Sequence, residues 1–206
     1  MQRQKKQAAG FWHTATDKMV KEKTKKKQRI IKHVELPDGV SASIIDQDLI
    51  IKGVKGESKK AMRQHNVVLK VEGNKIVLET KRETKKDKKI IGSLVAHVKN
   101  MIRGSMENHI YILKICSGHF PMNVSTSNNK LIVKNFLGEK VPRILQLKEG
   151  ADVKIEGEII KVESSNKELA GQVSADIEQL TRRPGYDSRI FQDGIYITNK
   201  DGRELK

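Results

Sequence analysis

The side chains able to do chemistry in this 206-residue chain are six histidines, one cysteine and a large excess of lysine and arginine. His13, His33, His65, His97, His109 and His119 are scattered singly. Cys116 and His119 make one C-x-x-H with no second pair, which is half of what a four-ligand zinc site needs. No H-E-x-x-H, G-x-S-x-G or P-loop pattern is present. Gly53 and Gly56 in GVKGE resemble a phosphate cradle, but a tight turn accounts for both. His97, beside Val98 in a helical pattern, reads as a packing histidine. The inventory argues against an enzyme and predicts no catalytic residue, no metal and no cofactor.

The cations tell more. Forty-one Lys and Arg against twenty-five Asp and Glu leave a formal charge of +16. Such a balance favours a polyanionic partner, most commonly nucleic acid. Half of the excess sits in residues 1–29, where Lys18, Lys21, Lys23, Lys25, Lys26, Lys27 and Arg29 crowd together. That arm cannot bury enough apolar surface to order itself, so it is expected to be disordered when free. Phe11 and Trp12 stand out in it. They would stack on an exposed base, fill a protein pocket or rest on the first domain, and the sequence does not choose. A second cluster, Lys85, Lys86, Lys88 and Lys89, falls at a predicted helix start. Free N–H groups and the helix dipole favour phosphate there, and lysine is unfavourable there without an anion. The tail packs Arg182, Arg183, Tyr186 and Arg189 near Phe191, a mixture suited to irregular RNA. Phe191 and Tyr196 equally suit a core.

These groups are carried by a duplicated frame. LIIKGVKGE at residues 49–57 returns as LIVKNFLGE at 131–139, and VEGNKIVLET at 71–80 is answered by IEGEIIKVESS at 155–165. A helical stripe follows each copy, with Ile91, Gly92, Ala96, Val98 and Met101 matched by Ala170, Gly171, Ala175, Ile177 and Leu180. Two copies at a long period mean a duplicated domain rather than a solenoid.

Within the first copy, residues 40–45 and 49–54 flank a turn at 46–48. Val67, Leu69 and Val71 alternate up to Gly73-Asn74, where Gly first suits a type II′ loop. A helix is expected from Thr84, capped against Asp87, with Ile91, Leu94, Val95, Val98, Met101 and Ile102 facing the core and Gly104 ending it. The second copy adds a lead-in strand at 110–116 and turns at Gly157-Glu158. Ser165 with Glu168 makes its capping box, and Leu169, Val173, Ile177 and Leu180 make its helix stripe.

The fold class is therefore α+β: two tandem homologous domains, each a mainly antiparallel β-sheet packed by one α-helix. The expected divisions are an arm over 1–29, repeats over 30–106 and 107–181, and a basic tail over 182–206 with a short strand. No run is long and apolar enough for a membrane span, and no secretory signal is evident. With a lone cysteine, a reducing compartment is expected.

NKELAGQVSADIEQL at residues 166–180, RIFQDGIYITNK at 189–200, HFPMNV at 119–124 and NFLGEK at 135–140 resemble the sixth universal large-subunit ribosomal protein family in its archaeal and eukaryotic form. The resemblance covers residues 33–200. It implies a cytoplasmic, non-enzymatic protein on large-subunit rRNA near the sarcin–ricin loop, beside the stalk base where translational GTPases dock. Neighbouring ribosomal proteins are its implied partners, with no membrane and no homo-oligomer. Family members contact RNA mostly through the second domain and tail, which points to Lys167, Gln172, Arg182, Arg183, Arg189 and Lys200. The alternative reading is a non-ribosomal RNA chaperone or general nucleic-acid-binding protein.

Overall fold

The computed structural model describes residues 29–205, apart from Arg63, Glu83 and Ser188. The expected disordered arm, with Phe11, Trp12, Lys23, Lys25, Lys26 and Lys27, lies outside the described residues.

The first half contains β1 (Ile31–Glu35), β2 (Ser41–Ile45), β3 (Asp48–Lys52), β4 (Glu57–Ala61), β5 (Val67–Glu72), β6 (Lys75–Thr80) and α1 (Lys85–Met106). The second contains β7 (His109–Cys116), β8 (Asn123–Ser127), β9 (Lys130–Lys134), a 3-10 turn (Phe136–Gly138), β10 (Arg143–Gln146), β11 (Asp152–Glu156), β12 (Ile159–Ser164) and α2 (Lys167–Leu180). β13 (Gly194–Lys200) and β14 (Arg203–Glu204) close it. All pairings are antiparallel. The sheet of each half is split in two. β2-β3-β4 and β10-β9-β8 correspond, and β1-β6-β5 corresponds to β7-β12-β11.

Turn chemistry repeats with the strands. Gly73 and Gly157 each take a positive φ at the first turn position, as a type II′ loop requires. Asp46-Gln47 and Asn128-Asn129 have positive φ at both positions, the type I′ pattern that follows the strand twist.

Each core lies between its sheets and its helix. Leu49, Ile51, Ile76, Leu78, Ile91 and Val98 anchor the first; Leu113, Leu131, Phe136, Ile160, Ile177 and Ile195 anchor the second. Thr84 caps α1 by accepting the Asp87 N–H at 3.1 Å, while its hydroxyl donates to the Asp87 carboxylate.

Three local readings change. Asn166, rather than Ser165, caps α2, its Oδ1 accepting the Glu168 N–H at 3.0 Å. Glu168 is then free to turn its carboxylate outward to Lys60 and His97 of the first half. Gly104 does not end α1, which continues to Met106. It is buried where a Cβ would stand 2.0 Å from the Ser165 carbonyl oxygen, so the halves touch backbone to backbone. The strand expected in the tail is longer and more central than a closing strand. β13 lies against β7 and delivers Ile195 and Ile197 to the second core.

Candidate nucleic-acid interface

α2 ends at Leu180 with Thr181 as its C-cap, and the chain then turns sharply through Pro184 and Gly185, whose φ of 88° suits glycine. This turn stacks a row of π faces and cations. The Arg183 guanidinium lies 4.3 Å over the Tyr186 ring. Tyr186 meets Phe191 edge-on at 5.0 Å, and Phe191 stacks on His119 at 5.0 Å. Asp193 holds His119 in place, accepting from the ring at Nδ1 and from the backbone N–H groups of Gly118 and His119. Burial pushes the Asp193 carboxyl up, but those donors outweigh it and hold the group below the usual carboxylate range. A cleft of about 560 Å³ opens beside the row, lined by Leu137, Arg182, Arg183, Tyr186, Phe191 and Tyr196. Tyr186 and Tyr196 remain more than two-fifths exposed. Exposed aromatic faces flanked by guanidinium groups can stack on unpaired bases and neutralise phosphate.

Arg182, Arg183, Tyr186 and Arg189 are thus gathered on one short stretch, with Arg182 and Arg189 exposed. Lys85, Lys86, Lys88 and Lys89 are all exposed on the first turns of α1. They belong to the first half, whereas the arginines of residues 182–189 follow the helix of the second. Arg29 is exposed but pairs with Glu79 at 3.0 Å. Gln172 is turned along its own helix, donating to Asp176 at 2.7 Å. Lys200 is exposed at the end of β13.

Lys167 belongs to a different construction. Its Nζ lies 3.0 Å from the Asp201 carboxylate, in the seam between the halves. Asp201 also receives Arg103 of α1 at 3.2 Å and the His109 Nδ1 at 3.0 Å. The other ring nitrogen of His109 donates to the Asn100 carbonyl at 3.1 Å. Both nitrogens of this fully buried ring face acceptors, so the ring is held from two sides. Burial pushes the Asp201 carboxyl up, yet the bonds from Lys167 and His109 prevail and lower it. The loop carrying Gly53 and Gly56 packs on the end of α1, with Gly56 near Ser165 of the second half. Lys55 donates its N–H to the Ser105 carbonyl at 3.0 Å, and a Cβ on Gly53 would lie 2.6 Å from that oxygen.

The seam's residues escape sequence reasoning because they meet only in three dimensions. The one local signal is Asp201-Gly202, a type I′ turn with positive φ at both positions. Among the described residues, no group of three or more His, Cys, Asp and Glu could hold a metal. No described helix is long and apolar enough to cross a membrane.

The sequence model for the family described as Ribosomal protein L6 matches residues 36–107 and 120–194, one segment in each half. The chain belongs to that family. It is 39% identical over 176 residues to the large ribosomal subunit protein uL6 of Methanococcus vannielii, covering 85% of this chain and 97% of the relative. The protein of the same name from Methanobrevibacter smithii is 38% identical over 172 residues, covering 84% and 97%. That of Haloarcula marismortui is 36% identical over 170 residues, covering 82% and 96%. Each matched segment carries one helix and most of the antiparallel strands packed with it.

Proposed function

We propose that this chain is a structural, non-enzymatic constituent of the large ribosomal subunit, held on large-subunit rRNA near the sarcin–ricin loop and the stalk base. Membership of the ribosomal protein L6 family carries the ribosomal role and with it a cytoplasmic location. The finer reading rests on the row formed by Arg183, Tyr186, Phe191 and His119, which offers unpaired RNA both cations and ring faces. Lys85, Lys86, Lys88 and Lys89 supply a second phosphate-binding surface. Lys200, Arg189 and the lysines of residues 23–27 add further cationic charge. Neighbouring large-subunit proteins near the stalk base are the protein partners, and the chain enters as a single copy.

Sucrose-gradient sedimentation in moderate salt tests the reading. The chain travels stoichiometrically with the large subunit; a chain left near the top of the gradient overturns it. Arg182→Ala with Arg183→Ala impairs incorporation while the melting temperature stays nearly constant, because partly exposed ion pairs of this kind contribute at most about 1 kcal/mol. In binding to an rRNA fragment, each lost phosphate contact lowers the salt slope by about 0.7–0.9. Neutralising Lys85, Lys86, Lys88 and Lys89 together therefore flattens that slope, and an unchanged slope removes α1 from the interface.

A further inference from the structure

The two halves differ at one edge. β7 is flanked by β12 on one side and β13 on the other, whereas its counterpart β1 pairs with β6 and, among the described residues, with nothing else. In the second half α2 receives β13 through two acceptors. Thr181 Oγ1 takes the Ile195 N–H at 2.9 Å, and Glu178 Oε1 takes the Ile197 N–H at 3.1 Å. The alignment of the repeats sets Lys99 opposite Glu178 and Ile102 opposite Thr181. In the first half, these two residues wall an open groove of about 670 Å³, together with His33, Val34, Arg103 and Met106. The two side-chain acceptors that hold β13 have been replaced by a cation and an apolar side chain. This groove suits an occupant that brings side chains, especially ring faces, to lie under Lys99 and against the Met106 sulfur, with the Glu35 and Glu107 carboxylates at its rim.

The chain supplies such an occupant. Residues 30–106 contain no Phe, Tyr or Trp, while Phe11 and Trp12 lie just upstream. We propose that Phe11 and Trp12 dock in this groove, along the free edge of β1, in the place that β13 fills in the second half. Reach is ample, because residues 13–28 span up to roughly 50 Å when extended and β1 covers only about 17 Å. Tethering immediately before β1 keeps the local concentration of the segment high. Docking also covers an open sheet edge that would otherwise invite pairing with another chain. The lysines of residues 18–27 then form a loop fixed at both ends, presented to RNA at a lower ordering cost than a free tail.

Trp12 is the only tryptophan, so its emission in the full chain without RNA reports on the groove directly. The expected result is emission blue-shifted from that of tryptophan in water, with collisional quenching reduced severalfold. Met106→Glu, at a position 44% exposed, returns both to solvent values, while Val54→Glu, at a position 85% exposed elsewhere, changes neither. Lys99→Glu on the opposite wall gives the same reading should Met106→Glu not fold. Water-like emission in the unaltered chain overturns the proposal. So does a blue shift that the groove variants leave in place, or one that appears only when large-subunit RNA is added.

Discussion

Among the described residues β1 of the first half pairs on one side only; the second half continues past α2 and lays β13 along the equivalent side of β7. Every aromatic residue downstream of the arm lies in the second half, and four aromatic rings line its candidate RNA surface and cleft. Duplication evidently preserved what local chemistry dictates, namely the hairpins, their turn types and the helix stripe. It left the margins of each copy free to diverge. The second half acquired a stacking surface and the first a groove, and between them lies a seam assembled from both.

The seam is where the comparison breaks most sharply. Asp201→Ala leaves the buried His109 ring, Lys167 and Arg103 without their shared acceptor; the two cations reach solvent, so the unpaired buried ring sets most of the loss, about 2–3 kcal/mol. Thermal melts followed by CD should show this loss. It should carry a pH signature. The folded-state pKa of Asp201 lies below its ordinary value of 3.8. The contribution is therefore fully present above that value and is lost as pH falls through the folded-state pKa. Asp201→Asn accordingly flattens the acid side of the stability profile, and an unaltered acid limb would remove Asp201 as its source.

Gly104→Ala comes next. Its methyl group must displace the Ser165 backbone, and forced overpacking of this kind costs about 1–3 kcal/mol. Denaturant titration checks the size of the loss.

The smallest effect compares two matched helix positions. A methyl group added at Gly92 would meet nothing within 4 Å, so Gly92→Ala should stabilise by about 0.5–1 kcal/mol. At Gly171 the Tyr111 hydroxyl stands 3.4 Å away, and Gly171→Ala should gain less. Equal gains would mean that the helices sit alike on their sheets.

Much of the fold was legible because it depends on short-range pattern. The cap at Thr84, the stripe from Ile91 to Ile102 and the glycines opening two hairpins each announce themselves within a few residues. Asn166 and Ser165 are both good cap residues, and the choice of Asn166 depends on where Glu168 is drawn, which the local sequence does not show. Gly104 looked like a helix stop because a glycine demanded by a close approach carries the same letter as one demanded by a positive φ. The candidate RNA surface was partly legible, since Arg182, Arg183, Tyr186 and Phe191 are near in sequence. Their connection to His119 was not, and neither was the meeting of His109 with Asp201, because contacts over such separations leave no periodic trace.

The late position of β13 has a consequence for biosynthesis. Emerging from the N-terminus at roughly 5–20 residues per second, the nascent chain can complete its first core before the strand that must cover β7 exists. The second core waits with Leu113 and Ile115 uncovered along that flank until Ile195 and Ile197 are made, and Asp201 follows to draw the two lobes together. The nascent protein thus sets its parts in order, with the joint between them made last.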